Sequence, residues 1–379
     1  MATRTISNAG GNWNSTGSWV EGIVAGINDD VVATATSGDL VISASASCKS
    51  ANFTNYLGTL TQNSYWYVYG DLTFVSSMNF VSNYNILWLQ TTSATNLTTA
   101  GQKLGYLYIN ATGTINILDN LECISTFLLN KGILNNSYNI TTPSFIVQSS
   151  SLKTLNMGNG IYTINGSTFS ISGSNLTFDS GKSTIILSDN SATNKTFVGG
   201  NKIFYNLSIT GGGTGTVTIG GSNTFNILTI NKPKTVIFTK TTTQTVTSFV
   251  AIGDASNIIT ILTNTAGSKA TLSQISGTVN CEYLSLKDSE ALGGATWSAG
   301  YYSTNVSGNS GWTFLSFPTL KGFDGDNTIT FAMEYPATSK LRFGKDSIVF
   351  GLTLVDTDDA NASKFRIYDG VSVKALKKL

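Results

Sequence analysis

The amino-acid sequence predicts an all-β protein: a right-handed parallel β-helix (a β-solenoid shaft) followed by a small C-terminal β domain. First, β-branched and aromatic runs of strand length recur along the chain, separated by Gly-Gly, Asn-Gly, Ser-Gly and Asp-Asn pairs. Second, no segment keeps a helical apolar period over about 12 residues. Third, similar apolar motifs recur about every 20 residues, the length of one coil of such a helix. We expect the β-helix with its caps over residues 1–315 and the small domain over residues 316–379.

The period becomes visible when short apolar motifs are aligned by their central residues. The motifs lie at residues 106–109, 126–129, 144–147, 168–171, 206–209, 227–230, 248–251 and 271–272. Successive centres are 20, 18, 24, 38, 21, 21 and 23 residues apart. We expect the 38-residue step to contain two coils, with residues 186–187 in the additional one. A coil of this kind can bury its apolar side only against the next coil.

A β-sandwich, or a pair of sandwiches, is the alternative architecture. Its strands recur every 8 to 12 residues or so and could imitate a doubled period. The chain has four prolines and only 11% charged residues, whereas exposed sheet edges are usually protected by charge or proline. A solenoid exposes sheet edges only at its two ends, so the composition favours the solenoid.

Tryptophan marks both ends of the predicted solenoid. Trp13 and Trp19 lie in the expected first coil, and Trp297 and Trp312 lie in the segment expected to close the stack. A large ring can cover the open end of a narrow core. We therefore predict that these four residues are structural caps.

A cluster of tyrosines is predicted to face outwards. Successive strand residues point to opposite sides of a sheet, so if Trp66 is inside, Tyr65, Tyr67 and Tyr69 are outside. With Tyr84, they predict a subunit interface or a glycan-binding surface, since tyrosine is enriched at interfaces. Packing against a neighbouring subunit is favoured, because such a patch is a liability in water. Isolated surface tyrosines are the plainer alternative.

The composition argues against conventional enzymatic chemistry. Histidine is absent, which excludes Ser-His-Asp and Cys-His catalysis and all histidine-based metal sites. The adjacent Asp29 and Asp30 point to opposite faces of a strand, so a turn or cap role is expected. We predict that the protein is not an enzyme; cleavage of a polysaccharide, by paired carboxylates or by calcium with a basic residue, is the least favoured alternative.

Charge and cysteine content give further expectations. The net charge of +1 predicts no nucleic-acid partner, and no apolar run reaches the 18 or so residues that predict membrane insertion. Cys48, Cys123 and Cys281 are predicted to be buried thiols. Asp324 and Asp326 have the spacing of a partial calcium loop without its twelfth-position Glu. No cofactor is therefore predicted, with an Asx-type turn favoured there and calcium as the open alternative.

The two ends of the predicted solenoid resemble those of known β-helical proteins. Residues 11–13, Trp19 and residues 29–31 resemble the first coil of β-helical surface proteins from Bacteroidetes-type bacteria and of phage or prophage fibre-like proteins. Residues 293–297 and 308–312 resemble the last coil of the same proteins, and residues 346–379 resemble the ends of phage virion proteins. The resemblance covers roughly residues 10–315 and, because it rests on caps and turns, concerns architecture more than activity.

The resemblance implies a structural and adhesive component of a bacteriophage virion. It would be a fibre, spike or capsid or tail decoration protein that acts as a rigid shaft for host attachment, as a homo-oligomer with a homotrimer favoured. Its expected partners are other virion proteins and a host-surface glycan or receptor. The first residues lack the apolar core of a secretory signal, which favours assembly in the host cytoplasm. A bacterial cell-surface adhesin of the same fold is the alternative.

Overall fold

The computed structural model describes residues 2–316 with their side chains. Beyond them it describes the backbone of the strands Thr319–Asp324, Asn327–Ala332, Leu352–Val355, Ala362–Tyr368 and Val373–Lys378. The chain divides into two compact units, Met1–Thr313 and Phe314–Leu379. One short 3-10 helix, Thr16–Ser18, precedes the third strand. All other regular elements of the described residues are strands.

The first unit is built from short strands. Up to residue 120 they are β1 (Thr3–Thr5), β2 (Gly11–Asn12), β3 (Asp30–Val32), β4 (Leu40–Ile42), β5 (Ala46–Cys48), β6 (Ser50–Asn52), β7 (Thr59–Gln62), β8 (Trp66–Val68), β9 (Leu72–Thr73), β10 (Asn79–Val81), β11 (Ile86–Leu89), β12 (Thr95–Thr98), β13 (Lys103–Leu104) and β14 (Tyr106–Ile117). The middle coils contain β15 (Leu121–Cys123), β16 (Thr126–Asn135), β17 (Ile140–Val147), β18 (Lys153–Asn156), β19 (Ile161–Ile171), β20 (Leu176–Asp179), β21 (Thr184–Leu187), β22 (Lys195–Val198), β23 (Ile203–Ile209), β24 (Val217–Gly220), β25 (Thr224–Ile230) and β26 (Lys234–Phe238). The last coils contain β27 (Thr243–Ala251), β28 (Ile259–Thr263), β29 (Ala270–Gln274), β30 (Thr278–Asn280), β31 (Leu284–Lys287), β32 (Ser289–Leu292), β33 (Thr296–Gly300), β34 (Thr304–Ser307) and β35 (Trp312–Phe314).

These strands stack in parallel as a β-solenoid of about 13 turns. Each strand pairs with its counterpart one coil away, as β8 does with β11 and β11 with β14. The predicted parallel solenoid is thereby confirmed, and the sandwich alternative is wrong for this unit. In the second unit, β36 (Thr319–Asp324) pairs antiparallel with β37 (Asn327–Ala332), and β40 (Val373–Lys378) pairs antiparallel with β38 (Leu352–Val355) and β39 (Ala362–Tyr368).

The register reproduces the first part of the predicted period. One inward column of side chains passes through Trp66, Leu87, Leu107, Phe127, Phe145 and Phe169. These side chains are all buried, so each coil covers the apolar interior of its neighbour. The motif spacing therefore reflects real stacking over these coils.

The structure corrects the alignment after Phe169. This residue lies in the second half of β19 and pairs with Phe197, whereas Ile185 pairs with the first half of β19. The 38-residue step thus joins two different faces of the solenoid instead of spanning two coils of one face. The final step also changes face, because Leu272 pairs with Gln244. Both faces alternate apolar and polar residues in the same way, so spacing alone could not separate them.

A stack of phenylalanine rings forms the spine of the middle coils. The ring centroids of Phe127 and Phe145 are 4.8 Å apart, those of Phe145 and Phe169 5.5 Å, and those of Phe169 and Phe197 5.0 Å. The planes of successive rings differ by only 6° to 13°. Such contacts add to the free energy gained from burial alone.

Asparagine side chains connect successive coils on the outside. Asn116 Nδ2 donates to Asn96 Oδ1 at 3.2 Å, Asn135 Nδ2 to Asn116 Oδ1 at 2.9 Å, and Asn156 Nδ2 to Asn135 Oδ1 at 2.8 Å. A primary amide both donates and accepts, so a row of in-register asparagines continues the hydrogen bonding of the backbone. The abundance of asparagine thus has a structural reason here.

Three lysines are buried at the starts of strands, which the sequence analysis did not predict. Lys153 Nζ donates to three turn carbonyl oxygens at 2.7–3.0 Å, which uses all the donors of the ammonium group. Lys195 Nζ lies 3.0 Å from a carboxylate oxygen of Asp189, and Lys234 Nζ donates to a turn carbonyl oxygen at 2.8 Å. Burial lowers the pKa of Lys153 and of Lys234. Lys195 Nζ also donates to Ser191 O at 2.6 Å, so all three lysines satisfy turn carbonyls inside the stack.

Candidate interaction surface

One outer face of the solenoid carries a column of aromatic side chains. Tyr67, Trp88 and Tyr108 are in register on β8, β11 and β14 and point away from the core. The ring centroids of Tyr67 and Trp88 are 5.7 Å apart, and those of Trp88 and Tyr108 are 4.0 Å apart. Because the rings lean on one another, each is only partly exposed.

A second column runs beside the first. Ile86 is in register with Tyr106, and Tyr65 stands at the level of Ile86 because the residue after it pairs with Leu87. Tyr106 lies 6.3 Å from Tyr108 by ring centroids. Burial raises the pKa of both Tyr106 and Tyr108.

Tyr84 projects from the turn before β11. Its side chain is 70% exposed, and that of Tyr65 one coil earlier is 46% exposed. Tyr84 has φ 59° and Asn83 has φ 43°, so two successive residues adopt the left-handed conformation that normally favours glycine. A bulky aromatic residue at such a position is a genuine outlier whose strain the surrounding structure must support.

Amide side chains border the exposed tyrosines. Asn83 Nδ2 donates to Asn63 Oδ1 at 2.6 Å, which ties the turns of two successive coils together. Asn85 Nδ2 donates to the backbone oxygen of Gln62 at 3.1 Å. Within residues 2–316, the Nδ2 of Asn63 and the Oδ1 of Asn83 have no further hydrogen-bond partner. One donor and one acceptor are therefore available beside Tyr84.

The coils that carry this surface are almost free of charge. Between residues 51 and 118 the sequence contains only two charged residues, Asp71 and Lys103. Lys103 Nζ lies 2.7 Å from a carboxylate oxygen of Glu122, and Asp71 accepts a hydrogen bond from the backbone nitrogen of Asn96 at 2.7 Å. We call the surface formed by Tyr65, Tyr67, Tyr84, Ile86, Trp88, Tyr106 and Tyr108 the aromatic face.

Three of the four predicted tyrosines lie on the aromatic face. Tyr65, Tyr67 and Tyr84 belong to the aromatic face, whereas Tyr69 follows β8 at its other end, where its backbone nitrogen donates to Cys48 O at 3.1 Å. The sequence analysis did not assign Tyr106 to this surface, although its position 20 residues after Ile86 was a usable signal. The role of these side chains stays a prediction.

The four predicted cap tryptophans are buried and meet in pairs. Trp13 and Trp19 are 5.1 Å apart by ring centroids, and Trp19 Nε1 donates to Trp13 O at 2.8 Å. Trp297 and Trp312 are 5.0 Å apart. Both pairs have the T-shaped geometry that aromatic pairs prefer. Their role as caps stays a prediction.

Carboxylates in the described residues hold neighbouring chain segments. Asp29 accepts hydrogen bonds from Arg4 Nε at 3.3 Å and from the Gly26 backbone nitrogen at 3.1 Å. Burial alone would raise the pKa of Asp29, but these hydrogen bonds and the charge of Arg4 lower it. Asp30 accepts from Ser50 Oγ at 2.5 Å. The two carboxylates thus have different partners, which suits the expected turn or cap role.

The remaining candidate sites are the three cysteines and the two aspartates of the partial calcium loop. Cys48, Cys123 and Cys281 are buried free thiols. Among the described residues, no group of three or more His, Cys, Asp and Glu side chains could hold a metal ion. Asp326 lies outside the described residues, as does the side chain of Asp324, so the calcium alternative stays open.

Comparisons with models of protein families, with curated proteins and with solved structures found no match. In the part of the chain that the structure describes, no helix is long and apolar enough to cross a membrane.

Proposed function

We propose that the chain is a structural and adhesive component of a phage virion, a fibre, spike or decoration protein that acts as a rigid attachment shaft. The observation that carries this proposal is the unbroken stack of about 13 parallel turns. In such a stack each coil is held by its neighbours along its whole length. A body of this kind resists bending and keeps its outer faces in fixed positions, as an attachment shaft requires.

The use of side chains supports a structural role. Ring stacks fill the core, asparagines join coils on the outside, and buried lysines satisfy turn carbonyls. The resemblance of residues 346–379 to the ends of phage virion proteins supports the virion assignment in particular. Assembly as a homo-oligomer, with a homotrimer favoured, belongs to the same proposal.

Fractionation of an infected or induced culture of the organism that encodes the chain tests the proposal. Particles are purified on a density gradient, and each fraction is probed with an antibody raised against the full chain. We expect the chain to sediment with the particles and immunogold labels to mark a fixed position on them. A chain found in the cell envelope instead would favour the bacterial adhesin, and a chain found in neither would contradict both.

A further inference from the structure

We propose that the aromatic face binds an uncharged glycan, with Tyr65 and Tyr84 as the stacking platform and the amides of Asn63 and Asn83 as hydrogen-bonding partners. This inference rests on the proposed attachment function and names the chemical class of its ligand. Sugars are bound in proteins where aromatic rings meet their apolar C–H faces while nearby polar groups bind their hydroxyls, because a pyranose ring has both kinds of surface.

The exposure of the rings distinguishes the ones that could contact a sugar from the ones that pack against each other. Tyr67 and Trp88 pack against each other with a centroid distance of 5.7 Å, and Trp88 and Tyr108 with a distance of 4.0 Å. These contacts cover part of their ring surfaces. Tyr65 and Tyr84 are the most exposed rings of the aromatic face, at 46% and 70%. Tyr65 and Tyr84 therefore offer the ring surface that a sugar needs. The packed rings of Tyr67, Trp88 and Tyr108 stabilise the neighbouring strands.

The strained backbone at Asn83 and Tyr84 favours a binding role for the exposed Tyr84 side chain. Asn83 and Tyr84 both have positive φ values, and glycine would adopt this conformation at a lower energetic cost. The Asn83–Asn63 hydrogen bond holds the turn against the preceding coil. Strain that the surrounding structure maintains in this way is typical of binding positions.

The charge of the surface selects among ligands. Only Asp71 and Lys103 are charged between residues 51 and 118, and each already has a partner. An acidic polysaccharide, a phosphorylated lipid headgroup or a nucleic acid would lack cationic partners here. A neutral glycan needs none.

The shape of the aromatic face favours a sugar over a second copy of the chain. A protein interface of specific strength buries about 800 Å² on each partner, which calls for a broad, evenly exposed surface. Here the stacked rings are only partly exposed, and the exposure is greatest at Tyr65 and Tyr84, beside two amide groups that keep one donor atom and one acceptor atom unused. This arrangement suits one or two sugar units.

Affinity electrophoresis of the full chain in gels containing dextran, mannan, laminarin or galactomannan tests the proposal. We expect at least one of these neutral polysaccharides to slow the wild-type chain, and polygalacturonate to leave it unaffected. The double variant Tyr65→Ala, Tyr84→Gly should lose at least tenfold in affinity. Tyr84→Gly relieves the left-handed strain, so it removes the ring without endangering the fold. Tyr138→Ala, which removes a tyrosine of similar exposure outside the aromatic face, should bind like the wild type.

Three results would overturn the glycan proposal. These are no retardation by any of the four polysaccharides, equal retardation of the wild type and the double variant, and binding lost equally in Tyr138→Ala. Sedimentation velocity on the same proteins can also overturn it. If the wild type is an oligomer that dissociates in the double variant, and neither protein binds sugar, the aromatic face binds a second copy of the chain. None of these outcomes depends on whether the chain sediments with virions.

Discussion

At the scale of single residues, Tyr84 combines a strained backbone conformation with an exposed side chain. Its side chain is 70% exposed and its φ is 59°, so the ring gains little from burial while the backbone bears a left-handed conformation. The left-handed conformation costs an L-residue about 1–2 kcal/mol, and glycine in turn loses about 0.5–1 kcal/mol of chain entropy.

We therefore expect Tyr84→Gly to leave the free energy of unfolding unchanged or to raise it by about 1 kcal/mol. Urea denaturation followed by circular dichroism measures this, with Tyr138→Gly as the control at a position where φ is not positive. A loss of 2 kcal/mol or so in Tyr84→Gly would mean that the ring packs against the protein, contrary to the account of a displayed side chain.

Phe145 is the residue on which the core stack most depends. It is fully buried and stacks on Phe127 at 4.8 Å and on Phe169 at 5.5 Å. We expect Phe145→Ala to cost about 3–5 kcal/mol, because it removes the buried ring and leaves a cavity in the stack. Phe145→Leu, which keeps most of the volume, should cost clearly less. Equal losses in the two variants would contradict a cost set by the buried volume of the ring.

The buried thiols and a phenol make stability depend on alkaline pH. Burial raises the pKa of Cys48 to about 12 and that of Cys281 to about 12, from an ordinary value of 9.0. Burial also raises the pKa of Tyr56 to about 12, from 10.0. Above pH 9 the unfolded chain therefore releases these protons while the folded chain keeps them, so the stability they contribute is lost as pH rises towards 12.

Each such group should reduce the free energy of unfolding by up to about 1.4 kcal/mol per pH unit in this range. Lys153 and Lys234 act in the opposite direction below pH 10.5, because burial lowers their pKa values. Urea denaturation between pH 8 and 10.5 measures the net slope, and Cys48→Ala should make it less negative. If Cys48→Ala leaves the slope unchanged, Cys48 is not the buried thiol described here.

At the scale of elements, the first strand has an edge that other segments cover. The backbone nitrogen of Val20 donates to Thr5 O at 2.9 Å, and the nitrogen of Thr5 donates to a carboxylate oxygen of Glu21 at 2.9 Å. Trp19 anchors this segment through its ring contact with Trp13. An uncovered edge of β1 would be a template for pairing with another chain.

We expect Trp19→Ala to release this cover while the later coils stay folded, because coils depend mainly on their nearest neighbours. Limited proteolysis should then cut within about the first 30 residues, and sedimentation velocity should show larger assemblies than the wild type forms. Val20→Ala is the matched control, since the Val20 side chain is exposed and only its backbone nitrogen is used. A Trp19→Ala protein that resists the protease and keeps the oligomeric state of the wild type would show that Trp19 is no cap.

Some elements could be read from the sequence, and others could not. The motifs around Leu107, Phe127 and Phe145 predicted their stacking because each step is close to one coil. The change of face at Phe169 was not predictable from spacing, since inward residues of every face follow the same alternation. The burial of Lys153 was not predictable either, because its partners are backbone oxygens of turns and no particular residue type is needed to supply them.

The candidate site was predictable in its residue type but not in its geometry. Alternation placed Tyr65 and Tyr67 outside the core, as the structure has them. Which rings stay exposed depends on the stacking of Tyr67 on Trp88 and on the left-handed turn at Tyr84. Both are tertiary features that strand alternation does not encode.

At the scale of the whole molecule, the coils of the first unit stack in register along one axis. The attachment shaft and the fixed position of the aromatic face both follow from that stacking. The column that begins at Ser47 passes through Tyr67, Trp88, Tyr108, Leu128, Ile146, Ser170 and Val198, all of them partly exposed except the buried Leu128. Its members therefore supply labelling positions at known numbers of coils from Ser47.

Distances between pairs of nitroxide labels, measured by electron paramagnetic resonance, test this stacking most directly. Cysteine substitutions pair Ser47 with Ile146, Ser170 or Val198, and the native cysteines are buried. We expect separations of about 24, 29 and 34 Å, because parallel strands are spaced by about 4.8 Å and the pairs span five, six and seven coils. Separations that do not lengthen by one strand spacing at each step would contradict the solenoid, and the proposed shaft with it.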